Sequence, residues 1–92
     1  MTSIDTLNKY YKVIYSLLKE YHTLKFEYVD SVYFCKCNKV SHNIFEALNK
    51  IGFIEKRIIK NKIFIRSNFN YKKLQPIHIK DLIITLNYIT NK

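Results

Sequence analysis

The chain has 92 residues, enough for one domain and too few for two, and 48% of them are apolar, more than a disordered protein carries. Sixteen basic residues against seven acidic ones give a formal net charge of +9, which suits a polyanionic partner. One glycine, one proline and two cysteines exclude a glycine-rich phosphate loop, a loop-rich scaffold and a disulfide framework.

The charge is local. In residues 1–30, Lys9, Lys12, Lys19 and Lys25 are balanced by Asp5, Glu20, Glu27 and Asp30. Residues 31–66 carry eight basic side chains against Glu46 and Glu55 alone. The opening stretch MTSIDTLNKYYK lacks the apolar core of a signal peptide. No run approaches the roughly 20 apolar residues of a membrane-spanning helix. The expectation is a cytoplasmic chain, nucleoid- or plasmid-associated, with no membrane partner.

In chain order, Ser3 to about Tyr21 predicts an amphipathic helix, with Leu7, Tyr10 or Tyr11, Ile14, Leu17 or Leu18, and Tyr21 at spacings of three and four. Thr2 or Ser3 can cap it, and Asp5 suits its first turn. Thr23 to Val29 carries β-favouring residues and predicts a short strand. Asp30 or Ser31 can then cap a short helix through Cys37. From Lys39 the stripe Val40, Ile44, Leu48 and Ile51, with Ala47 beside it, predicts a third helix capped by Ser41 and ending near Lys50 before Gly52. The runs FIEKRII and IFIRSNF flank Lys60-Asn61-Lys62 and predict a hairpin with Asn61 in its turn. One face of the first arm carries Ile54, Lys56 and Ile58; Glu55, Arg57 and Ile59 point the other way. A loop from Ser67 to Gln75 leads to Pro76, which opens a final helix to about Thr90 with Ile79, Leu82, Ile83, Leu86 and Ile89 on one face. The fold class is therefore mainly α with a small β-hairpin, an α+β domain.

The third helix places His42, Glu46 and Asn49 opposite its apolar stripe, flanked by Asn43 and Lys50. A DNA major groove admits one helix; asparagine can bond adenine through two hydrogen bonds and lysine can reach guanine acceptors. Lys39 and Ser41 at the helix start suit phosphate. Lys60, Asn61 and Lys62 at the hairpin turn, backed by Arg57, suit a minor groove or a phosphate strand. Glu46 is repelled by phosphate, and a pair with Lys50 one turn later would neutralise it.

Other chemistry finds less support. Tyr10, Tyr11, Tyr15 and Tyr21 interleave with lysine in a way that could stack unpaired bases, but packing is the more economical reading. Cys35 and Cys37, with His22 or His42, form one Cys-x-Cys without the second pair a zinc site needs, so neither a metal nor another cofactor is expected and the thiols read as buried. His22, His42 and His78 fall on separate elements with no nucleophile and carboxylate in recognisable spacing, so no catalytic residue and no enzyme activity is expected.

The stretch VSHNIFEALNKIGFIEKRIIKNKIFIRS resembles the winged helix-turn-helix core of small prokaryotic and archaeal regulators such as the PadR, MarR and ArsR families. The resemblance rests on Leu48-Asn49-Lys50-Ile51-Gly52-Phe53-Ile54, a helix end running into a wing, and on the closing strand Ile63-Phe64-Ile65-Arg66-Ser67. It covers roughly residues 28–68. It implies a helix-turn-helix at about 30–51, a wing at 53–66, and a homodimer pairing through the N- and C-terminal helices to read two half-sites on double-stranded DNA. The implied role is transcriptional regulation. Partition or organisation of plasmid or viral DNA with a partner ATPase, and a winged-helix module that docks an acidic protein, remain alternatives.

Overall fold

The computed structural model describes residues 4–22 and 25–91. Helix α1 (Ile4–Glu20) buries Val13, Ile14, Leu17 and Leu18, with Asp5 in its first turn and Lys19 in its last, each at the end of the dipole that favours it. The expected caps, Thr2 and Ser3, lie outside the described residues. Strand β1 (Glu27–Val29) forms the end of the expected Thr23–Val29 strand, of which Thr23 and Leu24 also lie outside them.

Helix α2 (Ser31–Asn38) starts on Asp30, whose carboxylate accepts from the Tyr33 N–H at 3.1 Å. It ends because Lys39 turns left-handed, at φ 55° and ψ 44°, and the Val40 N–H returns to the Cys35 carbonyl at 3.1 Å. That reversal also makes helix α3 (Asn43–Lys50) start later than the apolar stripe suggests. Val40 is buried from the turn, not from the helix. The Ser41 hydroxyl accepts from the Asn43 N–H at 3.1 Å and so caps α3 from two residues upstream. At the other end Phe53 N–H bonds Leu48 O at 3.0 Å and Gly52 N–H bonds Asn49 O at 3.2 Å, the paired bonds of a Schellman ending. Gly52 supplies the φ of +85° that this ending requires.

Strands β2 (Ile54–Ile59) and β3 (Lys62–Ser67) form the hairpin. Its turn is two residues, Lys60 at φ 51° and Asn61 at φ 64°, as a type I′ turn needs. Lys62 is already in the ladder, paired with Ile59. β1 adds to the far side of β3, giving an antiparallel sheet of order β1-β3-β2. The fold is α+β, with four helices and this three-stranded sheet among the described residues. A 3₁₀ turn (Tyr71–Lys73) inside the Ser67–Gln75 loop precedes helix α4 (Pro76–Thr90), which buries Ile79, Leu82, Ile83 and Leu86, with Ile89 partly buried beside them.

One core joins these pieces. It includes Ile14, Leu18, Ile44, Phe45, Leu48, Ile65 and Leu82, each at most 1% exposed. The tyrosines of α1 and of the turn after it are spent on it: Tyr10, Tyr11, Tyr15 and Tyr21 pack against the buried cluster, and the Tyr11 hydroxyl donates to the Leu74 carbonyl at 3.0 Å. Stacked Phe53 and Phe69, ring centroids 4.0 Å apart, meet the edge of His78 and seat the start of α4.

Lys39 holds a backbone shape that glycine adopts without the Cβ conflict of about 1–2 kcal/mol. Lys39→Gly is expected to raise stability in urea unfolding by about 0.5 kcal/mol after the added chain entropy of glycine is subtracted. The Lys9 ammonium bonds the Lys39 carbonyl at 2.7 Å, a contact the substitution keeps.

Candidate nucleic-acid interface

Helix α3 is only eight residues long yet buries Ile44, Phe45, Ala47 and Leu48, because α4 lies on one side and β2 on another. At 100° per residue those four cover one half of the helix. The other half carries His42, Asn43, Glu46, Asn49 and Lys50. His42, Asn49 and Lys50 are exposed and Asn43 and Glu46 half-exposed. No side-chain hydrogen bond or ion pair ties these five to the rest of the chain among the described residues. This corrects one expectation: Glu46 and Lys50 do not pair, and both head groups face solvent instead.

Lys39, Ser41, His42 and Asn43 come together at the N-terminal end of α3, where backbone N–H groups carry partial positive charge. Asn49 and Lys50 sit at the other end, immediately before the strand that leads to the hairpin turn. Lys60, Asn61 and Lys62 are all exposed at that turn, with Ile58 and Ile59 also in solvent behind them.

Arg57 is placed differently from the rest. The sheet register sets Arg57 opposite Phe64 and Phe64 opposite Tyr28, so these three share one face. The buried Ile65 marks the other face, against the helices. Arg57 therefore stands on the sheet's outer surface, its guanidinium 4.1 Å from the centre of the Phe26 ring, and not at the turn. Arg66 lies over the same ring at 4.7 Å and forms an ion pair with Glu55 across the hairpin. Lys62 reaches back over Tyr28 at 5.7 Å, and Tyr28 meets Phe64 edge to face. Sequence reading missed this group. Its signal was the alternation Phe26-x-Tyr28 and Lys62-x-Phe64-x-Arg66, which period two places on one side of a sheet.

The cysteines divide. Cys35 is buried, and that burial pushes its thiol pKa up and keeps it protonated. Cys37 is exposed, contrary to the expectation of two buried thiols, because α2 turns it outward beside Tyr33. A hydrogen bond with Cys37 pushes the Tyr33 phenol up in turn. Burial, then the charges of Glu20 and Glu27, do the same to Tyr21. Among the described residues no three His, Cys, Asp or Glu side chains gather as metal ligands would. His22 rests edge-on to Tyr71, His42 starts α3, and the Nδ1 of His78 accepts from the Gln75 N–H at 2.9 Å in a capping box. No helix of the described chain is long and apolar enough to cross a membrane.

No protein-family model matches the chain, and no match is found among curated proteins or solved structures.

Proposed function

We propose that this chain is a winged helix-turn-helix protein that binds double-stranded DNA, with α3 in the major groove and the β2–β3 turn clamping the backbone beside it. One observation carries the reading: the solvent half of α3 holds polar side chains with no internal partner, while its other half is fully committed to the core. Amphipathic surface helices in general show that contrast; here the polar half adjoins Lys39 at one end and, through β2, the exposed Lys60-Asn61-Lys62 turn at the other. The order α1-β1-α2-α3-β2-β3 with β3 central in the sheet, and the four-residue link between α2 and α3, support the winged-helix assignment. In this reading Lys39, Ser41, Lys50, Lys60 and Lys62 take phosphates. His42, Asn43, Asn49 and Asn61 face base edges or sugars.

The test is a duplex titration across salt. A dimer that sets Lys39, Lys50, Lys60 and Lys62 of each protomer on phosphate is expected to show log affinity falling with log salt at a slope of about −7. A dissociation constant weaker than about 10⁻⁴ M at low salt refutes the reading.

The dimer belongs to the same proposal, and α4 carries it. Ile77, Ile84 and Tyr88 are 56%, 67% and 67% exposed and recur at helical spacing with Asp81 on one face. A groove of about 330 Å³ between Ile51, Phe53, His78 and Ile84 adjoins that stripe. On α1 the tyrosines pack against the protomer's own core and Ile4 alone of its large apolar side chains is exposed, at 74%, so α4 offers the broader apolar face. Ile84→Glu is expected to convert the sedimenting species to an 11.1 kDa monomer with unchanged circular dichroism. It should also weaken binding to two half-sites one helical turn apart far more than binding to one.

Transcriptional regulation is the role we favour for such a dimer. A footprint that spreads along DNA from a nucleation site would instead mark partition or DNA organisation with a partner ATPase.

A further inference from the structure

Phe26, Tyr28, Phe64, Arg57 and Arg66 form a partly exposed face that the duplex-binding reading leaves unused, with Lys62 at its edge shared between that face and the turn. We propose that this outer face of the sheet is a second nucleic-acid site, which takes the unpaired bases of a single strand. Tyr28, Phe64 and Arg57 lie in one row across three strands, and Lys62 and Arg66 flank that row along β3. The face thus alternates rings with cations, three positive charges against Glu55 alone.

Two features of this layer need a ligand more than they need the fold. Tyr28 is 49% exposed although its neighbour Val29 is 3% exposed, so a large ring is held in water on a strand whose other side is already anchored. Arg57 is exposed with its guanidinium set over Phe26 at 4.1 Å, which fixes a flexible cation in one orientation without burying it. Planar guanidinium and aromatic faces are the surfaces on which unpaired bases stack, and nearby cations hold the connecting phosphates. A duplex keeps its bases stacked on one another and offers no free faces to these rings. An acidic protein segment would satisfy the cations but not the rings. Single-stranded DNA or RNA satisfies both.

The chain contains no tryptophan, so Tyr28→Trp places a single indole reporter in the layer. An oligothymidylate of about 15 nucleotides, within the span one small domain covers, is expected to quench its emission on binding. Tyr28→Leu, which keeps apolar bulk but removes the stacking plane, is expected to weaken oligothymidylate binding about tenfold, within the range measured for loss of one stacked base. Its duplex affinity should stay within about twofold. Arg57→Gln should weaken single-strand binding as well.

Three results overturn the proposal. One is no quenching by oligothymidylate at low salt. Another is polyglutamate quenching the indole and binding as tightly, which would reduce the face to a charge patch for an acidic partner. The third is Tyr28→Leu weakening duplex and single strand equally, which would make the face part of the duplex contact. If Tyr28→Leu does not fold, as judged by its thermal transition, the Tyr28→Trp titrations against oligothymidylate, duplex and polyglutamate decide the matter alone. Loss of duplex binding with quenching intact would refute the duplex reading and leave this one standing.

Discussion

Phe45→Ala is expected to destabilise the chain by about 3–5 kcal/mol in urea unfolding, the largest single-residue effect we anticipate. Phe45 is the bulkiest of the fully buried side chains, 1% exposed, and meets Phe34 edge to face at 5.4 Å. It lies on α3, which packs against both β2 and α4, and it reaches Phe34 on α2, so its removal opens a void bounded by elements that cannot all close on it. α3 is anchored by β2 through the Gly52 ending, and α4 is fixed by the Phe53–Phe69–His78 contact. A domain of this size has on the order of 5–15 kcal/mol in total, so the variant should be largely unfolded under mild stress. Phe45→Leu should retain a cooperative transition. If Phe45→Ala costs under about 1 kcal/mol, the core is not packed as described.

Replacing the turn cations is expected to have the largest effect on binding. Lys60→Asn with Lys62→Ala removes two charges per protomer, and asparagine keeps the positive φ that the turn demands. Duplex affinity should fall about tenfold or more on every sequence tested, since each lost contact is a hydrogen bond from a charged group. The salt slope of the dimer should shrink by about 3.6. Asn49→Ala is expected to behave differently, leaving the slope unchanged and erasing about 1–3 kcal/mol of preference at one base position. Identical losses for both variants on all sequences would remove base reading from α3. The variants should be compared by fluorescence anisotropy on one selected duplex and one scrambled duplex.

Local periodicity made much of this legible. α1, α3 and α4 announce themselves by apolar residues at three and four, and the hairpin by two β-branched runs around Lys60-Asn61-Lys62, although Lys62 belongs to the strand and the turn is Lys60-Asn61 alone. The solvent half of α3 followed from the same winding, which is why His42, Asn49 and Lys50 lie where expected. Phe45 was missed as a core position because the stripe through Ile44 and Leu48 describes a helix covered on one side, whereas α4 and β2 cover this one on two. The sequence marks a helix start after Ser41 but not the left-handed Lys39, since lysine carries no signal for that conformation. Most hidden was the surface over Phe26. The register brings Phe26, Arg57 and Arg66 together from separate strands, and no window of neighbouring residues contains all three.

The order β1-β3-β2 also bears on how the chain reaches this shape. β2 and β3 meet across a two-residue turn, a closure that hairpins complete in about 1–10 μs. β1 must find β3 from the far side of both α2 and α3, with Val29 meeting Ile63, and a closure of that length carries a larger entropic toll. Docking of β1 is therefore expected to come after the hairpin has formed. The three-residue strand would then work as a latch, fastening the helical pair to the hairpin. Tyr28 travels with it, so the ring layer on the sheet is expected to assemble only when the latch shuts.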